Sequence, residues 1–365
     1  MNHYAFTGFP GFLAGKMIMH LATLPNQIGT IYALHLPSER AGAIALKQEL
    51  LASTSLRDDQ LVLVEADIKL PEVVLDPIMR SVIEREVHYV FHLAAAYDLS
   101  IPYDVGYRIN FLGTKHITSF AKRAPHLKRY VYFSTAYVSG RRQGTVYENE
   151  LWHRVHFKNH YEATKYEAEA IVSREFGSMP VTIIRPGIVI GHSKTGETKK
   201  YDGVYFVLKL MDQLRQAAPL PYIGRQNIEV NLVPYDYVVE ATAYLAHAPV
   251  GLKRTFHLTD PFPHGAREVF RMIHEAMFNR PPRGTIPHTV AEIGFSALHL
   301  SERYKVPREL LAYFKHQVHF DTTQTLRALN GTDIVCPDLK DYLPKIVAYY
   351  ETHKTPDQAF CVSTN

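Results

Sequence analysis

Cysteine is nearly absent: the 365 residues hold two, Cys336 and Cys361. That excludes a disulfide framework and a cysteine-rich zinc module. No run of about 18 apolar residues occurs, so no membrane-spanning helix is expected. A block of charge of one sign is also missing. Lys and Arg number 40 against 36 Asp and Glu, a net charge of +4 spread along the chain. The pairs Arg141-Arg142 and Lys199-Lys200 read as solvated loop charges, not as a nucleic-acid stripe. There is no internal repeat and no low-complexity tract. The N-terminus reaches a glycine turn by Gly8 without a charged leader, so no signal peptide is expected and the reading is a cytoplasmic protein.

What is present is an ordinary globular composition, 46% hydrophobic and 21% charged, which excludes a disordered or collagen-like chain. The first half alternates short β-branched or aromatic runs with helical stretches. Strands are expected at His3–Thr7, Thr30–His35, Gln60–Glu65, Val87–His92, Tyr130–Ser134 and Val181–Arg185. Helices are expected at Phe12–Leu24, Ser38–Leu51, Val73–Glu86, Val105–Arg123 and Tyr161–Phe176. Strands joined by helices of this length imply an α/β fold, a doubly wound parallel sheet. After Gly191 the rhythm changes and Pro and aromatic residues become frequent. Helices are expected at Tyr235–Ala246, Gly265–Phe278 and, after several others beyond Pro287, near Tyr342–Thr352, with a strand at Thr255–Leu258. The expected organisation is a dinucleotide-binding domain over residues 1–190, rejoined by 227–260. Residues 191–226 and 261–365 then form a smaller, mostly helical substrate lobe.

The opening segment carries the first chemistry. A strand runs into Gly8 and Gly11, with Ala14 where a third glycine could sit, and then into the apolar helix at Phe12. Gly8 permits a tight turn, Gly11 lets backbone amides approach a pyrophosphate, and the helix N-terminus faces the phosphates. A carboxylate at the tip of the second strand would hold an unphosphorylated ribose, but His35 and Leu36 stand there. The reading therefore leans to NADP(H) over NAD(H), with Arg40 or Lys47 either meeting a 2′-phosphate or serving as surface helix charges. Asp67, after the third strand, either accepts from adenine or caps a turn.

Tyr161 and Lys165 lie four apart on one helix face. A neighbouring ammonium lowers a phenol pKa, so Tyr161 is read as a proton donor or acceptor for a carbonyl. With 23 tyrosines the spacing alone is weak, and Tyr205/Lys209 and Tyr350/Lys354 share it. Context favours Tyr161, because a strand ending in the hydroxyls of Ser134 and Thr135 precedes it and Val181–Gly187 follows. Ligands in such sheets gather at the carboxyl ends of strands. His153, His156 and His160 read as surface helix histidines, not metal ligands. Tyr201, Tyr205 and Phe206 read as core or pocket wall.

These residues carry a family resemblance. The matching pieces are Thr7-Gly-Phe-Pro-Gly-Phe-Leu-Ala14, Ala66-Asp-Ile68, His92-Leu-Ala-Ala-Ala96, Asn110-Phe-Leu-Gly-Thr114, Ser134-Thr-Ala-Tyr-Val138, Tyr161 to Lys165, Arg185-Pro-Gly187 and Val233-Pro-Tyr-Asp-Tyr-Val238. Together they resemble an extended short-chain dehydrogenase/reductase, within it the thioester-reductase and fatty acyl-CoA reductase branch. The resemblance implies a catalytic Thr135, Tyr161 and Lys165, with Ser134 the fallback hydroxyl and Lys165 also reaching the nicotinamide ribose. It implies Thr7, Gly8, Gly11, Phe12 and Leu13 around the pyrophosphate, and Asp67 and Ile68 at the adenine. Leu93, Ala94 and Ala95 would form the floor, and Arg40, Asn110, Ser134, Pro186 and Gly187 would complete the cofactor contacts. Branch members often carry Arg where Leu36 stands.

The expected function is NAD(P)H-dependent reduction of an acyl thioester or a lipid-like aldehyde or ketone. The substrate is small or carrier-bound, with no nucleic-acid partner, no metal and no stable membrane insertion; pairing into a homodimer is a further expectation. A sugar-nucleotide epimerase or ketoreductase is the alternative, needing only Thr135, Tyr161 and Lys165. A dehydratase would need an acid/base pair where Ala136 and Tyr137 stand. A non-enzymatic dinucleotide sensor could dispense with the Tyr/Lys pair, which is intact here.

Overall fold

Short apolar runs separated by amphipathic helices fold here into one large parallel sheet, as seen in a computed structural model that describes residues 1–25, 28–151, 156–224, 228–287, 289 and 316–354. In chain order the strands up to Leu258, eight of which form that sheet, are β1 (Asn2–Thr7), β2 (Ile28–His35), β3 (Leu61–Asp67), β4 (Val73–Val74), β5 (Tyr89–His92), β6 (Arg129–Phe133), β7 (Gly144–Val146), β8 (Val181–Pro186), β9 (Ile188–Ile190), β10 (Tyr222–Ile223), β11 (Leu232–Pro234) and β12 (Arg254–Leu258). The main sheet runs β12-β8-β6-β5-β1-β2-β3-β4, parallel throughout except the edge pair β3–β4. Chain order reverses between β1 and β5, which opens a crevice at the carboxyl ends of those strands.

Helices α1 (Phe12–Thr23), α2 (Arg40–Ser53), α3 (Pro77–Glu86), α4 (Tyr103–Gly106), α5 (Gly113–Lys122), α6 (His160–Arg174), α7 (Val204–Gln213), α8 (Tyr235–His247) and α9 (Ala266–Phe278) connect or cover the strands. The period-two alternation of β6 shows how the two faces are built. Tyr130 and Tyr132 pack into one apolar layer with Ile117 and Val172, while Val131 and Phe133 pack into the other with Phe6 and Phe91. Ile184 is fully buried in the second layer, where truncation to alanine costs about 2–5 kcal/mol. A third apolar cluster joins α7, α9 and the helix Leu339–His353 through Leu208, Ile273 and Ile346. No helix among the described residues is long and apolar enough to cross a membrane.

Two expected helices are altered. The stretch begun at Val73 first pairs as β4, and its helix starts at Pro77, where Asp76 caps Ile78 N and Met79 N. The stretch Val105–Arg123 is interrupted by a π-helical segment, Tyr107–Leu112. Such wide turns cluster at functional sites, and this one carries Asn110. The residues between Pro287 and His316, where further helices were expected, lie almost wholly outside the described residues, as do His153 and Cys361.

Candidate active site

A cleft of about 580 Å³ opens at the carboxyl ends of β1, β5, β6 and β8, within the range typical of small-molecule sites. At one end lies the glycine turn. Gly8 has φ +83°, and a Cβ there would come within 2.8 Å of Ala94 N; a Cβ on Gly11 would come within 2.5 Å of Gly8 O. The turn closes through Gly11 N donating to Gly8 O at 2.7 Å. Gly11 then caps α1 without a side-chain bond, and the first turn holds no acidic residue. Its amides and the positive end of the helix dipole face open space, which fits a dinucleotide pyrophosphate. Phe12 and Leu13 line the same end, and the floor is Leu93, Ala94 and Ala95.

Beneath the floor runs a buried chain of hydrogen bonds. Ala94 N donates to the Thr7 hydroxyl at 3.1 Å, and that hydroxyl is hydrogen-bonded to His92 Nδ1 at 2.7 Å. The opposite ring nitrogen, Nε2, is hydrogen-bonded to Thr114 Oγ1 at 3.0 Å. Burial, and next to it the Lys165 charge, hold the His92 pKa well below the usual imidazole range, so the ring is neutral and acts as a fixed brace.

At the other end the carbonyl chemistry is assembled. Asn159 caps α6 by accepting from Glu162 N at 2.9 Å, and this start presents Tyr161 and Lys165 to the cleft. Lys165 Nζ donates to Phe133 O at 2.6 Å and lies 4.5 Å over the Tyr132 ring. Burial brings its pKa down to about 7, against the opposing pull of Glu169. The Tyr161 phenol is raised, by burial first and then by Glu162 and Asp202. This differs from the expectation of a depressed phenol: in the free protein desolvation and the two neighbouring acids set the direction. A phenol held protonated suits donation to a carbonyl oxygen. Thr135 Oγ1 accepts from Tyr137 N at 3.3 Å as cap of the turn Ala136–Ser139, which leaves its proton free to donate into the cleft.

Ser134 borders the cleft, but its hydroxyl is committed to the Glu169 carboxylate. Glu169 also takes Arg185 Nε at 3.0 and 3.1 Å and Arg185 Nη2 at 2.5 Å, in a pair with side chains 0% and 2% exposed. Arg185 continues to Glu150 O at 2.8 Å and to His257 Nε2 at 3.2 Å. Ser134 is thus a fixture of this network and not the spare hydroxyl expected of it.

Two other expected cofactor contacts are corrected. Arg40 is not among the cleft-lining residues; it pairs with Glu65 at 2.7 Å on the surface, and Glu39 lines the cleft instead. Asn110 is buried beside the cleft with its amide fully used: Ala96 N donates to Oδ1 at 2.9 Å, and Nδ2 donates to Ala96 O and to Thr164 Oγ1. It braces the loop after β5 against α6. Asp67 accepts from Lys69 N at 2.9 Å as a turn cap, and it lines the cleft beside Ile68. Pro186 and Gly187 line the cleft as expected; a Cβ on Gly187 would come within 2.6 Å of Asn231 Oδ1.

The competing Tyr/Lys pairs lie elsewhere. Tyr205 is buried, its hydroxyl accepting from Gly191 N at 3.1 Å, and the Lys354 ammonium lies 5.7 Å over the Tyr350 ring while pairing with Asp212. Neither tyrosine lines the cleft. Among the described residues no group of His, Cys, Asp and Glu is arranged to hold a metal. Sequence reasoning missed Tyr97, Lys200 and Asp202. Tyr97 stacks edge-on against Tyr161 at 5.0 Å, and Lys200 Nζ lies 5.6 Å over the Tyr97 ring. The only signal for Asp202 was its position beside the aromatic wall begun at Tyr201.

The profile of the male sterility protein family matches residues 6–242. The nonribosomal peptide synthetase cpsA of Aspergillus campestris is 26% identical over 288 residues, 74% of this chain and 27% of that protein. The fatty acyl-CoA reductase wat of Drosophila melanogaster is 26% identical over 269 residues, 64% of this chain and 52% of that protein. The chain therefore spans about a quarter and about half of these relatives. Among solved structures, the terminal R domain from the myxalamid PKS-NRPS biosynthetic pathway superposes with a TM-score of 0.79 at 26% identity, covering 96% of this chain and 91% of that one.

Proposed function

The chain belongs to the male sterility protein family, NAD(P)-binding oxidoreductases of the extended short-chain dehydrogenase/reductase type, and from that premise we propose that it reduces an acyl thioester or a related lipid-like carbonyl. The observation that carries the reading is the convergence of Thr135, Tyr161 and Lys165 on the cleft that begins at the Gly8–Gly11 cradle. The nicotinamide, when bound, supplies the hydride. Thr135 and Tyr161 then hold the carbonyl oxygen and stabilise the charge that develops on it. Tyr161 donates the proton, and Lys165 steadies the phenolate left behind. With a thioester the hemithioacetal formed in this way returns its hydroxyl proton to the Tyr161 phenolate as the C–S bond breaks, the aldehyde forms, and the departing thiolate takes a proton from water. Thr198, Lys200, Asp202 and Gly203, from the segment that follows β9, line the cleft and help to select the acyl group, which arrives on coenzyme A or a carrier protein, as relatives named for synthetases and acyl-CoA reductases suggest.

The test is NADPH consumption with a medium-chain acyl-CoA, with free thiol titrated alongside. Thiol release is expected, slowed about 10²-fold by Thr135→Ala through loss of one oxyanion donor. Oxidation with aldehydes but no thiol from thioesters would leave a plain carbonyl reductase, and activity only on nucleotide sugars would move the chain to the epimerase class. The cofactor reading is NADP(H): His35 and Leu36 bring no carboxylate to the tip of β2, and the surface pair of Arg40 with Glu65 is weak enough to yield to a 2′-phosphate. Glu39, which lines the cleft, favours NAD(H). Fluorescence titration with both reduced cofactors decides, tighter NADPH binding supporting the first reading and tighter NADH binding the second.

A further inference from the structure

Asp202 stands one residue before the turn that starts α7. Gly203 makes that turn with φ +57°, and a Cβ on it would come within 2.8 Å of Ile188 Cγ2. The turn sets Asp202 in the wall of the cleft, beside Ile188, Ile190, Tyr97 and Tyr137. The carboxylate has no ion pair and no side-chain hydrogen bond among the described residues. Lys200, the nearby cation, lies over the Tyr97 ring. The Asp202 charge nonetheless acts on the phenols of Tyr97, Tyr161 and Tyr205. Burial lifts the Asp202 pKa above the usual carboxylate range, opposed by the Lys200 charge.

An unpaired carboxylate in a recessed, largely apolar wall is costly, and the cost grows when a substrate displaces the water that solvates it. It also opposes the chemistry, because a negative charge near Tyr161 resists formation of the phenolate. A cation bound between the two removes both penalties. We propose that Asp202 is an acyl-recognition residue that binds the protonated amine of an aminoacyl thioester. Tyr97, whose ring lies 5.0 Å from that of Tyr161 and 5.6 Å from Lys200 Nζ, links the Lys200–Asp202 segment to the carbonyl end of the cleft, so the acyl part of the substrate is the part that Asp202 meets. A simple aliphatic acyl group leaves Asp202 desolvated without a partner. The inference rests on the thioester reading above and sharpens it to a substrate class.

The experiment compares two N-acetylcysteamine thioesters that differ only in the amine, L-leucyl and 4-methylpentanoyl, by NADPH consumption and thiol release at pH 7. The wild-type protein is expected to favour the leucyl thioester by about 10- to 100-fold in kcat/KM, the worth of a charge-assisted hydrogen bond. Asp202→Asn is expected to bring that ratio close to one. A wild-type ratio near one, which needs no variant to fold, overturns the inference and leaves thioester reduction standing. A parallel loss with both thioesters in Asp202→Asn overturns it equally, since a specificity residue moves the ratio. Absence of thiol release from either overturns the thioester reading and the inference together.

Discussion

Of the carboxylates that act on the Tyr161–Lys165 pair, the fold treats Glu169 and Asp202 in opposite ways. Behind α6, Glu169 is fully buried and fully engaged, with Arg185 on β8 and Ser134 at the end of β6 both donating to it. In the cleft, Asp202 has no side-chain partner among the described residues and is open to whatever enters. A paired buried charge fixes structure: it ties the strand ends that carry Thr135 to the helix that carries Lys165, and its field raises the Lys165 pKa against burial. An unpaired recessed charge contributes nothing to folding and is suited to recognition.

The comparison can be broken at several points. The largest effect is expected where the two fields meet. Tyr161→Phe is expected to cut turnover by about 10³- to 10⁴-fold, because the phenol is both acid and oxyanion donor, while cofactor affinity stays nearly constant. Tyr205→Phe and Tyr350→Phe are expected to keep most activity, and the reverse ranking in steady-state assays would discard the site.

Stability separates the two acids next. Glu169→Ala strands the Arg185 guanidinium in the interior and is expected to cost about 3–5 kcal/mol. Asp202→Asn is expected to change stability by no more than about 0.5 kcal/mol, and toward greater stability, since it removes a desolvated charge. Urea denaturation monitored by circular dichroism measures both, and equal losses would erase the distinction between them.

The smallest effect is on pH dependence. Burial has brought the Lys165 pKa down from 10.5 to about 7, so in the free protein the ammonium is lost as pH rises through that value and activity is expected to fall on that limb. The groups facing it are Tyr161 and Glu169 on its own helix, Tyr132 on β6 and His92 on β5. Glu169→Gln removes the negative charge that raises Lys165, so the falling limb is expected to move to lower pH, by about one unit. An unmoved limb in the pH profile of kcat/KM, which reports the free protein, would make Glu169 a purely structural residue.

Much of the cofactor half was legible in the residues themselves. Gly8 and Gly11 announce their turn because Gly8 takes a positive φ and a side chain at Gly11 would collide with Gly8 O, constraints that are local in the chain. The strands and the helix of Tyr161 were legible because apolar periodicity is also local. Arg40, Asn110 and Ser134 have partners that were not legible, for a common reason. Each lies next to the cleft in sequence motif, yet each spends its polar atoms on a partner from another element: Glu65, Ala96 with Thr164, and Glu169. A motif gives the address of a side chain and not the direction its donors face.

The sequence by itself determined the parallel sheet, the glycine cradle and the Tyr161–Lys165 spacing, because each depends on contacts between residues near one another in the chain or on backbone freedom at a single residue. Only the tertiary structure decided which of three Tyr/Lys pairs faces a cleft, which acid is paired and which is left open, and that the phenol of the free protein is raised. Those outcomes depend on desolvation and on partners 16 to 72 residues away, as in the bonds of Arg185 to Glu169 and His257. Burial and long-range pairing do not exist until the strands are side by side.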